Sequence, residues 1–246
     1  MDWQRMSTHE HARRAFTTAL LPVGTIEAHD GAPLGTDNYI PAELGQRLSE
    51  RLEIPCLPVM PYGVTKSLLA FSGSCGVSEA LLEQFLFEVG RSLARNGLRY
   101  LFVLDGHGGN FTALKAGAAR LHQECGLFTA VIEWWHEAES IAIEIFGEGG
   151  LGHSAVDELG MLVGLCPELE ATIPKQTVSS YYLYKGVKPY PAPHPVLTYG
   201  RPDDPVDLSR LEPEKCRRFA EQVTDLMARI VREILTGWQG IGRATD

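Results

Sequence analysis

The sequence lacks any apolar run long enough to cross a bilayer, so a membrane role is not expected. It has no Walker loop, and "GHGGN" is not G-x-G-x-x-G, so a nucleotide cofactor lacks support. A G-x-S-x-G nucleophile elbow is also missing, which weakens a serine-hydrolase reading. Its five cysteines (Cys56, Cys75, Cys125, Cys166 and Cys216) are odd in number, scattered and without C-x-x-C spacing. That pattern fits reduced thiols in a cytoplasmic protein better than a disulfide framework or a structural zinc site. Basic residues are outnumbered, 22 Lys and Arg against 31 Asp and Glu. The net charge of −9 argues against nucleic acid or an anionic membrane as partner. The opening "MDWQRMSTHEHARRAF" has no apolar h-region and is not read as a signal peptide.

What is present is the composition of an ordinary globular chain, 246 residues with 44% hydrophobic and 22% charged. No repeat, low-complexity tract or linker interrupts it, so a single domain over 1–246 is expected. The first element read is the apolar run "TTALLPVGT", a buried strand ended by Gly24. "NYIPAELGQRLSERL" carries Leu44 and Leu48 at helical spacing, and "IPCLPVMPYG" is a second apolar segment broken by prolines. "VSEALLEQFLFEVGRSLARNG" is the clearest helix, with Ser78 as N-cap and a stripe of Leu82, Phe85, Leu86, Val89 and Leu93. Then follow a strand, "LRYLFVLDGHGGN", a helix, "FTALKAGAARLHQECG", and a strand, "LFTAVIEWW". Residues 176–210 are rich in Pro, Tyr and Gly and show no period, which marks a lid or a subunit contact. A last amphipathic helix from Pro213 is expected to stop at Gly237. Strands alternating with helices predict a mostly parallel sheet covered on both faces, with ligands at the carboxyl ends of its strands.

Two polar clusters fall at those ends. In "EAHDGAPLGTD", Glu27 and His29 sit two apart, so extended backbone points both the same way, and Asp37 returns after a glycine- and proline-rich turn. His107 lies in "DGHGGN", where the glycines let backbone approach a ligand closely. A third cluster, His153, Asp157 and Glu158, opens an apolar helix in "GHSAVDELGML". Carboxylates with imidazoles are the donor set for zinc or manganese in hydrolases. Each cluster alone reads as readily as a solvated turn or an acidic first helical turn. Trp134 and Trp135 read equally as pocket wall and as core.

Taken together, "LPVGTIEAH…PLGTD", "MPYGVTKSLLAFSGSCGVS", "LFVLDGHGGN", "IEWW" and "GHSAVDELGML" resemble the creatininase (creatinine amidohydrolase) family. The resemblance implies a three-layer α/β/α sandwich with a mostly parallel central sheet and hydrolysis of a non-peptide C–N bond in a small-molecule amide. It also implies one or two divalent ions per chain, zinc or manganese with iron a further candidate, and a homo-oligomer, a hexamer being favoured. Carried over by position, Glu27, His29, Asp37 and His107 are metal ligands, with Asp37 bridging. Creatininases carry a glutamate ligand two residues after the histidine matched by His107, where this chain has Gly109; Glu158 is the expected replacement ligand. His153 and Glu158 are the expected catalytic pair, His153 as proton donor. The loop before Asp37 is one residue shorter than usual and lacks a second histidine. Asp105 stands for an asparagine, and Leu159 and Gly160 for Thr-Ser. Rivals to a small-molecule amidohydrolase are a family peptidase trimming a modified peptide and a non-catalytic binding protein on the same fold.

Overall fold

The computed structural model describes residues 1–199 and 205–243. A short helix precedes the first strand: α1 (Thr8–Arg14) is capped by Ser7, whose hydroxyl accepts from the Glu10 amide. Next come β1 (Thr18–Val23), α2 (Thr36–Leu52), α3 (Glu79–Arg95), β2 (Tyr100–Asp105), α4 (Phe111–Cys125), β3 (Phe128–Glu133) and α5 (Trp134–Phe146). Then follow β4 (Gly152–His153), α6 (Val156–Leu165), the two-residue strands β5 (Thr177–Val178), β6 (Tyr181–Tyr182), β7 (Leu197–Thr198) and β8 (Val206–Asp207), and α7 (Pro213–Arg243).

The central sheet is parallel in the order β1-β2-β3, with Val23, Asp105 and Glu133 in register at its carboxyl end. The "IPCLPVMPYG" segment runs beside β1 as isolated bridges, Leu20 to Cys56 and Val23 to Met60. The amides of Leu20 and Gly24 donate to Pro55 and Met60 on that side, so the amide that Pro22 lacks falls on this irregular edge, where its loss is tolerated.

Alternation along the strands sorts the core into two layers. Ala19, Leu21, Val23, Leu101 and Val103 face α3 and α4, packing on Leu82, Leu86, Phe87 and Leu114. Leu20, Phe102, Leu104 and Ile132 face the other way, onto α2, α5, α6 and α7. This is the expected α/β/α arrangement with a parallel sheet. α6 and α7 touch so closely that a Cβ on Gly164 would lie 2.1 Å from the Cys216 carbonyl oxygen.

Several local expectations are corrected. Phe85 is 50% exposed, and Phe87 takes its place in the buried stripe. α7 continues through Gly237 and Gly240 to Arg243, its earlier turns already fixed by packing on α5 and α6. β3 ends at Glu133, and the two tryptophans begin α5 instead of prolonging the strand. Within 176–210, residues 200–204 lie outside the described residues. The remainder is not structureless, since β7 pairs with β4 and β6, and β5 with β8. Among the described residues no helix is long and apolar enough to cross a membrane.

Candidate metal centre

The carboxyl ends of β1 and β2 deliver the first two clusters to one place. After β1 the chain makes a compact loop: the Glu27 amide donates to the Leu34 carbonyl and the Ala32 amide to that of His29. Asp30 takes φ 51° at the turn. Asp37 enters the first turn of α2, where the helix dipole favours a carboxylate. After β2, Asp105 shapes the glycine-rich turn. Its Oδ1 accepts from the His107 amide at 3.0 Å and from Asn110 Nδ2 at 3.1 Å. Burial pushes this carboxyl up to about 7, against the pull of the His107 amide and ring. Asn110 stands at the N-cap of α4 without capping it; its Oδ1 accepts from the Val64 amide at 2.8 Å. His153, from β4, and Glu158, from the first turn of α6, complete the cluster.

Six predicted residues converge. His29 Nε2 lies 3.0 Å from Asp37 Oδ1 and 3.4 Å from Glu158 Oε2. His107 Nδ1 lies 3.1 Å from both Glu27 Oε1 and Asp37 Oδ2. His153 Nδ1 lies 3.5 Å from Glu27 Oε1 and 3.8 Å from Glu158 Oε2. The two oxygens of Asp37 therefore face two different triads, Glu27–Asp37–His107 and His29–Asp37–Glu158, each compact enough for one cation. A further triad, Glu27–His29–His153, overlaps them.

The outer nitrogen of each ring is already engaged. His29 Nδ1 meets the Glu27 carbonyl at 3.0 Å, His107 Nε2 that of Val64 at 3.1 Å, and His153 Nε2 that of Ala28 at 2.9 Å. A carbonyl only accepts, so each outer nitrogen carries the proton and each inner one presents a lone pair in the neutral ring. Such backbone-anchored imidazoles are the usual outer support of a metal site. Both oxygens of Glu27, both of Asp37 and Nε2 of His29 are buried without an aligned hydrogen bond. Unpaired buried acceptors are costly, and a divalent cation satisfies all of them at once. Without one, protons take its place. Burial disfavours charge on His29 and His107, but Asp37 and Glu158 around the first, and Glu27 and Asp37 around the second, raise both well above the ordinary value. Asp37 is held low in return, the two rings outweighing its burial.

Asp157 is not part of the cluster. It accepts from the Gly152 amide at 2.8 Å, and burial raises its carboxyl to about 7. Trp134 is core, 2% exposed and edge-on to Phe219. Trp135 stays partly open, its Cζ2 lying 3.7 Å from where a Cβ on Gly108 would stand. The supporting roles of Asn110, the Val64 carbonyl and Ser154 escape sequence reasoning, because spacing alone does not reveal which backbone group a side chain meets.

A family profile described as creatinine amidohydrolase matches residues 1–231. The chain belongs to the creatininase family. Among curated relatives of this creatininase-family chain, a mycofactocin precursor peptide peptidase of Mycobacterium ulcerans is 28% identical over 92% of this chain and 89% of its own. The same-named protein of Mycolicibacterium smegmatis is 34% identical, but the match spans 48% of this chain and only half, 50%, of that protein. A creatinine amidohydrolase of Pseudomonas putida is 27% identical over 61% of this chain and 65% of its own. Solved creatininases share the fold. One matches at TM-score 0.75 and 21% identity over 94% of this chain and 96% of its own. Another, named as a manganese form, matches at 0.74 and 22% over 94% and 97%.

Proposed function

We propose that the chain is a metal-dependent amidohydrolase that cleaves a non-peptide C–N bond (an amide, cyclic amide or formamide) in a small molecule. The observation that carries this reading is the set of buried, unpartnered oxygens of Glu27 and Asp37, facing imidazole nitrogens whose outer N–H groups are already engaged. In this reading Glu27, Asp37 and His107 hold one divalent ion, and His29, Asp37 and Glu158 a second, with Asp37 shared. Glu158 takes the role of the ligand that Gly109 does not supply. Mixed nitrogen and oxygen donors suit zinc or manganese. Two structural neighbours are named as manganese and Zn-Zn forms. Bound there, the metal supplies Lewis acidity toward a carbonyl oxygen and lowers the pKa of a water.

The remaining chemistry belongs to side chains. His153, anchored by its Nε2–H on the Ala28 carbonyl, aims the lone pair of Nδ1 at the cluster, so it is placed to take up a proton there and pass it to the leaving nitrogen. Of the two carboxylates beside it, Glu27 or Glu158, whichever has an oxygen free of the metal, would take a proton from the water. A second reading, trimming of a modified peptide, is favoured by the relative aligned over 92% of this chain. Metal analysis followed by assays on cyclic amides, formamides and short peptides separates these. Two metal equivalents with turnover of a small amide support the first reading, and turnover of peptides alone supports the second. No metal and no turnover in any class would leave a non-catalytic binding protein.

A further inference from the structure

We propose that Ser154 is a positioning residue that sets the affinity of one of the two ions and leaves the other alone; this rests on the two-ion reading above. Ser154 is 2% exposed and makes two hydrogen bonds. Its amide donates to Glu158 Oε2 at 2.6 Å, and its Oγ donates to the His29 carbonyl at 2.8 Å. Both partners belong to the His29–Asp37–Glu158 triad. Among the described residues, no hydrogen bond joins Ser154 to Glu27 or His107, the residues peculiar to the other ion. One buried residue thus ties together, through its amide and its hydroxyl, two ligands that come from distant parts of the chain, the loop after β1 and the first turn of α6.

The backbone supports this assignment. Ser154 adopts φ 53°, a left-handed conformation that residues other than glycine, asparagine and aspartate seldom take. Rotation about N–Cα decides where the amide points relative to the helix that follows. At this φ the amide meets the carboxylate four residues on, at the head of that helix. Strain of this kind persists only where the surroundings over-determine it. Here the Oγ bond to the His29 carbonyl supplies one such constraint. Removing the hydroxyl frees both the His29 segment and the amide that orients Glu158, while the Glu27–Asp37–His107 triad keeps its own anchors.

The test uses the full chain, stripped with a chelator and titrated with Mn²⁺ by calorimetry. The wild-type chain reports first on the two-ion reading, and uptake of fewer than two equivalents overturns that reading and this one with it. With two equivalents established, Ser154→Ala keeps the amide and loses Oγ. One equivalent should weaken on the order of 10–100-fold, as lost outer-sphere partners of metal ligands do, with the other unchanged. Anomalous scattering from crystals of the variant should show the lost ion beside Glu158. Ser154→Gly, which also frees the backbone, should weaken the same equivalent at least as much, and it carries the test if the alanine variant does not fold. A purely structural role would instead lower the unfolding temperature of the stripped protein and weaken both equivalents alike. That result, unchanged binding of both ions, or loss of the ion beside His107 overturns the proposal.

Discussion

Replacing Gly109 with alanine adds one methyl group at the point where the first triad is anchored. A Cβ there would stand 2.3 Å from the Val64 carbonyl oxygen and 2.4 Å from His107 Nε2. Ordinary contact begins near 3.4 Å, so each neighbour must retreat by about 1 Å. The two obstructing atoms are themselves hydrogen-bonded to each other at 3.1 Å, and the Cβ presses on both ends of that bond. Overpacking of this kind costs about 1–3 kcal/mol, and loss of the hydrogen bond adds about 0.5–1.5 kcal/mol. A total of about 2–4 kcal/mol corresponds to a fall of roughly 4–16 °C in unfolding temperature for a chain of this size. The same displacement swings His107 Nδ1 away from Glu27 and Asp37, so metal content should fall as well. Differential scanning calorimetry of the stripped protein and metal analysis of the loaded one give the two readouts. Gly109→Glu should fail in the same way and should not restore a ligand to this turn. An alanine variant with wild-type unfolding temperature and full metal content would refute the reasoning.

His29→Ala and His107→Ala should each lower bound metal and remove hydrolytic activity, and full occupancy in both by metal analysis would contradict the assignment. Glu158→Gln should weaken one equivalent while the other stays, which calorimetric titration resolves; two unchanged equivalents would exclude Glu158 as a ligand. His29 and His107 are raised above the ordinary histidine value in the metal-free protein, so protons compete with metal as pH falls through those raised values. Apparent affinity should therefore decline on acidification, starting above about pH 6.5, with protons released on uptake, and a flat affinity in titrations from about pH 6 to 8 would count against this. Light scattering at micromolar concentration should give a multiple of 27.1 kDa, a hexamer being proposed, and a monomer mass would overturn it.

Much of the fold was legible because its strands are uninterrupted apolar runs ending in glycine- or histidine-bearing turns. β1 and β2 announce themselves that way, and the six clustered side chains all lie near strand or helix ends. The errors share a cause. Phe85 and Phe87 both sit near one helical stripe, and only the neighbours of α3 decide which is buried. Gly237 is a common stop signal, yet most of the thirty-one-residue α7, from Pro213 to Thr236, already stood as helix before it and was there to continue. α5 follows β3 with no intervening turn residue, so the period changes without a mark in the sequence. The site's support was hidden for a different reason. The Val64 carbonyl and the Ser154 amide are backbone groups, which residue identity does not report.

The sheet has two unlike edges. Beside β1 runs a segment punctuated by Pro55, Pro58 and Pro61, which lack amides and break the ladder there. β3 is the other edge, a regular six-residue strand with no partner strand beyond it among the described residues. Sheet extension therefore has a direction built in. A partner adding a strand meets donors and acceptors at β3 and a broken row at the proline edge. Should two copies join this way about a two-fold axis, each β3 would lie antiparallel to its mate, and two parallel sheets would become one continuous six-stranded sheet. Such a contact closes after two copies. Any larger assembly would need a further contact on another face of the chain.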